Sequence, residues 1–189
     1  MRIILIGQAA FAEKTLEKLL GKGEEVVAVY CPPDVPGGKL DPVKHKALQL
    51  GIPVRQHKSF KAPEVREEFV ALEADLAILA FVSFIVPPEV FSVPRLGSVC
   101  FHPSLLPKYR GASAINWALI KGESVTGLSL FWVDRGIDTG PVLLQKEVKV
   151  APDDTTGPLY FNRIFPLAIE AIAEAVDLIN AGNPPRIAQ

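Results

Sequence analysis

The chain has 189 residues, and its 20 lysines and arginines nearly balance 21 acidic residues, which leaves a formal net charge of -1. This length suits one domain with a substantial core, and the balanced charge excludes a broad basic surface for nucleic acid or anionic membranes. Apolar runs are short, so none reaches the roughly 20 residues of a membrane span. The amino terminus lacks a secretory pattern, and the two cysteines form neither a disulfide framework nor a zinc ligand set. We expect a soluble, cytoplasmic protein with one domain over residues 1–189.

The first part of the chain alternates apolar runs with amphipathic segments. The runs RIILIG, EVVAVYC and DLAILAF are predicted to be buried strands, because β-branched and other apolar residues dominate them. Between these runs, the apolar spacing and the proline positions predict helices over 11–20, 43–50 and 63–72 and a brief strand over 52–55. The turn formers of PPDVPGGKLDP predict a surface loop over 32–42.

The second part begins with another predicted strand, GSVCFH, and then changes its pattern. A helix is predicted over 113–120, whereas the apolar runs at 126–133 and 141–150 follow each other without a helix, which indicates a mixed sheet. Apolar residues spaced by three and four predict a closing amphipathic helix over 159–181. The alternation as a whole predicts an α/β fold: a Rossmann-like, open, mostly parallel sheet with helices on both faces. Ligands of such sheets bind beyond the carboxyl ends of the strands.

The turn after the first strand does not match a dinucleotide-binding fingerprint. It reads Gly7-Gln8-Ala9-Ala10-Phe11-Ala12, so alanines stand where the second and third glycines should fall. The sequence therefore disfavours NAD.

Cys100 and His102 alternate along the strand that Pro103 ends, so both side chains are predicted on one face, at the strand's carboxyl end. Asp134 and Asp138 lie further along, in the glycine-containing loop DRGIDTGP. A carboxylate beside His102 would stabilise the protonated imidazole. Two interpretations remain at this point. Cys100 is a nucleophile activated by His102, or His102 is the reactive group and Cys100 is a small buried residue.

Three stretches of the chain, FHPSLLPKYRGASAINWALIKGE, TGLSLFWVDRGIDTGPVLLQ and the residues that space them, resemble the folate-dependent formyltransferase family. The resemblance is nearly continuous over 96–147 and weaker over the rest of the chain. Within the family, the amino-terminal hydrolase domain of 10-formyltetrahydrofolate dehydrogenases is the most similar branch, and the methionyl-tRNA and sugar-nucleotide formyltransferases come next.

The resemblance implies an Asn-x-His motif and a downstream aspartate, which map onto Cys100, His102 and Asp138. Cys100 departs from the family asparagine, as does the hydrolase branch, which carries an aliphatic residue there. The resemblance also implies 10-formyltetrahydrofolate as the formyl donor, no metal, and release of formate or passage of the formyl group to an acceptor. The alternatives are the catalytic domain of a methionyl-tRNA or sugar-nucleotide N-formyltransferase, and a folate-binding module that is inactive without a partner domain.

The resemblance further implies a folate pocket formed by two segments. Its expected residues are Phe81, Val82, Ser83, Phe84 and Ile85, together with Asp134, Gly136, Ile137 and Gly140. The expected partners are the folate, an amine acceptor and a further domain after Gln189. A membrane is not expected, and the charge balance argues against nucleic acid for this domain alone.

Other polar or aromatic residues have ordinary structural interpretations. Arg110 and Gly111 form either a turn or part of the acceptor entrance, and the sequence leaves both open. We expect structural roles for Asn116 and Trp117 on their predicted helix. No polar residue stands at a spacing from His45 or His57 that would indicate a shared site, so we expect no catalytic role for these two histidines.

Overall fold

The computed structural model describes every residue from Met1 to Gln189 and divides into two compact units, Met1–Val99 and Cys100–Gln189. Its seven strands follow the order β3-β2-β1-β4-β5-β6-β7. Their bounds are β1 Arg2–Gly7, β2 Glu25–Tyr30, β3 Val54–Arg55, β4 Leu76–Ala80, β5 Ser98–His102, β6 Val125–Trp132 and β7 Val142–Lys149. The predicted α/β class with a mostly parallel sheet is confirmed. The single domain over 1–189 stays a prediction.

In the first unit, β1 pairs in parallel with β2 and β4, and β2 pairs in parallel with β3. All five residues of β4 are buried, because a central parallel strand is covered on both faces. The helices of this unit are α1 Ala9–Gly21, α2 Pro42–Gln49, α3 Pro63–Ala71 and α4 Pro88–Phe91. The first three agree with the predicted helices, whereas the sequence predicts no helix at α4, because four residues are too few to show a periodicity.

The start of α1 is built around a carboxylate from another segment. Ala9 has a left-handed backbone with φ of 60°, and its N–H donates to both oxygens of Asp41 at 3.0 and 2.9 Å. Asp41 also caps α2 by accepting from the N–H of Val43 at 2.9 Å. A helix start of this kind binds phosphate in dinucleotide-binding folds. Because a carboxylate already holds the Ala9 N–H, the structure argues against a pyrophosphate there.

The two glycines that bracket α1 differ in the space around them, which gives a stability prediction. A Cβ at Gly7 would lie 2.1 Å from the carbonyl oxygen of Ala80, whereas a Cβ at Gly21 meets nothing within 4 Å. We expect Gly7→Ala to lower the free energy of unfolding by about 1–3 kcal/mol through overpacking. Gly21→Ala is the matched control and should leave stability unchanged or slightly raised. Urea unfolding measures both, and equal stability of the two variants would contradict the prediction.

The second unit contains the end of β5 and the antiparallel pair β6–β7, in which Ser129 lies opposite Gln145. Its helices are α5 Ala114–Ile120, α6 Thr156–Leu159 and α7 Phe165–Asn180, and a π-helical turn joins α6 to α7. The predicted closing helix over 159–181 is therefore interrupted at its start. Pro166 stands in the first turn of α7 and has no N–H to continue an α-helical ladder from the preceding turn.

After α7, the chain returns to β6 and β7. Val142 and Ile187 form an antiparallel bridge, with backbone hydrogen bonds of 2.7 and 2.9 Å. The indole N–H of Trp132 donates to the carbonyl of Pro185 at 2.9 Å. The carboxyl-terminal segment 184–189 is thereby attached to the end of β6 and the start of β7.

No helix of the protein combines the length and apolarity that crossing a membrane requires.

Candidate active site

Strand β5 brings Cys100 and His102 to its carboxyl end, as predicted, and both side chains are buried. Pro103 follows and ends the strand, because it cannot donate to a sheet ladder. The chain then forms a loop over 103–113 that leads to α5.

Both ring nitrogens of His102 face oxygen atoms. Nε2 lies 2.7 Å from the carbonyl oxygen of Tyr109, and because a carbonyl only accepts, Nε2 carries a hydrogen and donates it. Nδ1 lies 3.3 Å from Oδ2 of Asp138. This second distance is longer than a tight charge-assisted hydrogen bond. Nδ1 is thus the nitrogen available to a reacting group, and the Tyr109 bond fixes the orientation of the ring.

Asp138 is held beside the histidine by an unusual backbone and by the loop that follows β5. Its φ of 54° is left-handed, a conformation that Asp and Asn tolerate better than most residues. Its Oδ2 accepts from the N–H of Gly111 at 2.7 Å. The structure records no protein donor to Oδ1, which leaves this oxygen able to accept a proton or a hydrogen bond from a ligand.

The buried hydroxyl of Ser129 on β6 and the side-chain amide of Gln145 on β7 fix the loop 103–113. Ser129 donates to the carbonyl of Ser104 at 2.6 Å and accepts from the N–H of Leu106 at 3.0 Å. The Gln145 side-chain amide donates to Ser129 Oγ and to the Leu106 carbonyl, both at 2.8 Å. These bonds hold the backbone whose Tyr109 carbonyl orients His102.

The loop that carries Asp138 is built by its own side chains. Oδ1 of Asp134 accepts from the Gly136 N–H at 3.0 Å and from the Thr139 hydroxyl at 2.7 Å. A Cβ at Gly140 would lie 1.7 Å from the carbonyl oxygen of Trp132, so only glycine fits there. Ile137 is 65% exposed, which makes it an apolar surface that a ligand can cover. The folate contacts expected of this loop stay predictions.

The other predicted folate segment, 81–85, belongs to the first unit. Phe81 has a left-handed φ of 62° and is 47% exposed, and Ile85 is 71% exposed. Phe84 stacks on Phe60, with ring centroids 4.7 Å apart. The structure therefore shows exposed apolar surface in this segment. Contacts with a folate stay predictions for all five of its residues: Phe81, Val82, Ser83, Phe84 and Ile85.

The thiol of Cys100 lies in surroundings that oppose ionisation. Burial raises its pKa well above the ordinary value, and the negative charge of Asp138 raises it further. The second thiol, Cys31, has its pKa raised to about 11, again mainly by burial. A nucleophilic cysteine needs the thiolate, which a lowered pKa supplies. These conditions favour the interpretation in which His102 reacts and Cys100 only packs.

We expect Cys100→Ala to keep most of the formyl-donor turnover that the resemblance implies, because a small apolar residue fills the same buried position. Iodoacetamide at pH 8 should modify both native thiols slowly, since each raised pKa leaves little thiolate, and should modify them rapidly after unfolding. Activity assays and mass spectrometry measure the two effects. An inactive alanine variant, together with rapid inactivation that substrate blocks, would overturn this interpretation.

The remaining residues singled out in the sequence have structural contacts. Oδ1 of Asn116 accepts from the Thr156 hydroxyl at 3.0 Å. Nε2 of His57 lies 3.0 Å from a carboxylate oxygen of Glu68, and the exposed His45 lies 3.4 Å from the Gln49 amide. No group of three or more His, Cys, Asp or Glu side chains is arranged to hold a metal ion. The roles expected of these residues stay predictions.

Sequence reasoning missed two partners of the catalytic candidates. Tyr109 acts through its carbonyl, and Gln189 contacts the loop of Asp138 through its side chain. For Gly111 the sequence allows two roles, a turn or part of an acceptor entrance, and the structure shows that its N–H donates to Asp138. Two of these contacts use the backbone, which every residue type supplies, so the sequence carries no signal for them.

The profile of the family described as Formyl transferase matches residues 1–176. The chain therefore belongs to the formyl transferase family, and the resemblance found in the sequence is confirmed. It is 45% identical over 194 aligned residues to the cytosolic 10-formyltetrahydrofolate dehydrogenase of Xenopus tropicalis, an alignment that covers 100% of this chain and 21% of that protein. It is 40% identical to the methionyl-tRNA formyltransferase of Geotalea uraniireducens (strain Rf4), covering 97% of this chain and 60% of that protein.

Among solved structures, glycinamide ribonucleotide transformylase 1 from Symbiobacterium toebii has the same fold. The TM-score is 0.84 at 23% identity, and the superposition covers 99% of this chain and 94% of the other. The chain spans about a fifth, 21%, of the dehydrogenase relatives that it matches.

Proposed function

We propose that this protein removes the formyl group from 10-formyltetrahydrofolate, either giving tetrahydrofolate and formate or passing the formyl group to an amine acceptor. The observation that carries the proposal is the pairing of His102 with Asp138 at the end of β5, with Nδ1 3.3 Å from Oδ2. The family match and the dehydrogenase relative, similar over the whole of this chain, support the choice of the folate donor.

In the first step, a water molecule or an amine attacks the formyl carbon. Asp138 accepts a proton from the nucleophile, and its Oδ1 has no competing protein donor. The carbonyl π electrons move onto the formyl oxygen. Protonated His102 stabilises this oxyanion with the hydrogen on Nδ1, while Nε2 remains bonded to the Tyr109 carbonyl at 2.7 Å.

In the second step, the bond between the formyl carbon and N10 breaks. His102 gives its Nδ1 proton to N10, because an unprotonated N10 would have to leave as an anion and is a poor leaving group. When water is the nucleophile the product is formic acid, and when an amine is the nucleophile the product is the N-formyl derivative of that amine. The proton held by the Asp138 carboxyl group then passes back to Nδ1 of His102. Each cycle thus restores both side chains, and the steps use no metal, which stays a prediction.

We assign the pterin contacts to the segments 81–85 and 134–140, as the family resemblance implies. Exposed apolar side chains in each segment, Phe81, Ile85 and Ile137, support this assignment. Such surface favours binding of a flat heterocycle, because covering it removes apolar area from water.

The acceptor divides the proposal into two branches. Cys100 stands where the family resemblance implies an asparagine, and it lacks a carboxamide that could position the formyl oxygen. This difference favours water. The methionyl-tRNA formyltransferase relative supports an amine acceptor as the second candidate. A further domain, as in the longer relatives, would then supply acceptor contacts.

We also propose a cytoplasmic location. The relative described as cytosolic supports it, and a relative described as mitochondrial is 42% identical.

The test measures release of tetrahydrofolate from 10-formyltetrahydrofolate by the purified chain, first in water and then with methionyl-tRNA and amino-sugar nucleotides as acceptors. Turnover in water would support the hydrolase branch, whereas turnover that needs one acceptor would identify a transferase. Calorimetry with tetrahydrofolate separates these from a binding module, which would bind without turnover. Absence of turnover, both in water and with every acceptor, would contradict the proposal, whether or not tetrahydrofolate binds.

A further inference from the structure

The side chain of Gln189 bridges the two loops that form the candidate active site. Its Nε2 donates to the carbonyl of Asp138 at 2.9 Å and to the carbonyl of Gly140 at 2.7 Å. Its Oε1 accepts from Nε and Nη2 of Arg110 at 3.0 and 2.9 Å. One carboxamide thus uses both donors and both acceptor positions, which is all that a glutamine side chain offers.

The segment that carries Gln189 is fixed independently of these bonds. The bridge between Val142 and Ile187 pairs its backbone with β7, and the guanidinium of Arg186 lies 3.8 Å from the centre of the Trp132 ring. The carboxamide is therefore presented from an ordered strand-like segment, so less side-chain and backbone entropy opposes its four hydrogen bonds.

The backbone groups that Gln189 holds are directly connected to the reacting side chains. The Asp138 carbonyl belongs to the residue whose left-handed backbone aims the carboxylate at His102. Arg110 immediately precedes Gly111, whose N–H donates to that carboxylate. We propose that Gln189 is a positioning residue that sets the geometry of the His102–Asp138 pair. Its effect on catalysis rests on the proposed function, but its effect on the geometry does not.

Two substitutions remove the bridge in different ways. Gln189→Ala removes all four hydrogen bonds. Gln189→Glu keeps an acceptor for Arg110 but replaces the donating amide by an oxygen that faces two carbonyls. If positioning of Asp138 is the role, both variants should show the same defect. Ile187→Ala is the matched control, because it alters an exposed side chain of the same segment and keeps the backbone bridge to Val142.

The first readout is an NMR measurement of the histidine ring resonances in ¹⁵N-labelled protein. This measurement does not depend on activity. The chain has only three histidines, and His45 and His57 lie in the first unit, where they serve as internal references. We expect the His102 ring signals to shift in both Gln189 variants, while the signals of His45 and His57 and the melting temperature stay unchanged. Unchanged His102 signals would overturn the inference.

The second readout is the split between kcat and KM for 10-formyltetrahydrofolate. Because a small misplacement of catalytic groups costs rate more than binding, we expect kcat to fall roughly 10- to 100-fold with little change in KM. Ile187→Ala should match the wild type. An unchanged kcat in both Gln189 variants would overturn the catalytic part. A wild-type chain without turnover would contradict the proposed function instead, and the histidine spectra alone would then decide whether Gln189 positions the pair.

Discussion

His102→Ala is expected to lower the turnover of 10-formyltetrahydrofolate on the order of 10³-fold or more. Loss of one oxyanion donor costs about 3 kcal/mol, on the order of a hundredfold in rate. Loss of the proton donor to N10 adds to this, because general acid catalysis contributes roughly 10²- to 10⁴-fold. The measurement is kcat under saturating donor, with circular dichroism to show that the variant is folded.

The matched control is His45→Ala, which removes an exposed imidazole from α2. It should retain the wild-type rate, since the ring of His45 is exposed and lies 3.4 Å from the amide of Gln49, a residue of the same helix. Folate binding by His102→Ala should persist, because the proposed pterin contacts lie in other segments. A His102→Ala variant with nearly wild-type turnover would refute the assignment of His102 as the reacting group.

Asp138→Asn and Asp138→Ala are expected to lower kcat on the order of 10²-fold or more, because both remove the proposed proton acceptor. The asparagine variant is the sharper test. Asparagine tolerates the left-handed φ of 54°, and its carboxamide oxygen can still accept from the Gly111 N–H. A loss of rate in a folded Asp138→Asn variant would therefore result from loss of the carboxylate charge and its basicity, because the loop keeps its backbone conformation.

Asp153→Asn provides the control for a changed charge, since Asp153 is exposed and lies outside the candidate site. It should leave kcat and KM unchanged. If Asp138→Asn kept the wild-type kcat while Asp138→Ala lost stability, Asp138 would be a structural residue of its loop, and the proton acceptor would have to be sought elsewhere.

The elements with strong local patterns were predictable from the sequence. Strands β1 and β4 are continuous apolar runs, and central parallel strands require this because helices cover both faces. The position of His102 was also predictable, since alternation along β5 and the proline after it place the imidazole at a strand end. The start of the last helix was predicted wrongly, because Pro166 alters the hydrogen-bond ladder in a way that side-chain periodicity does not reveal.

The sequence by itself determined the α/β class and the position of His102 at a strand end, because residue types and their spacing encode periodicity. The family, and with it the expectation that His102 and Asp138 react, came from the resemblance. Only the tertiary structure decided how the pair is held. The Gly111 N–H and the Gln189 carboxamide reach Asp138 from 27 and 51 residues away in the sequence. The Tyr109 carbonyl reaches His102 because the loop after β5 turns back on itself. Backbone donors and acceptors are the same in every residue, so folding alone selects which of them orient the reacting groups.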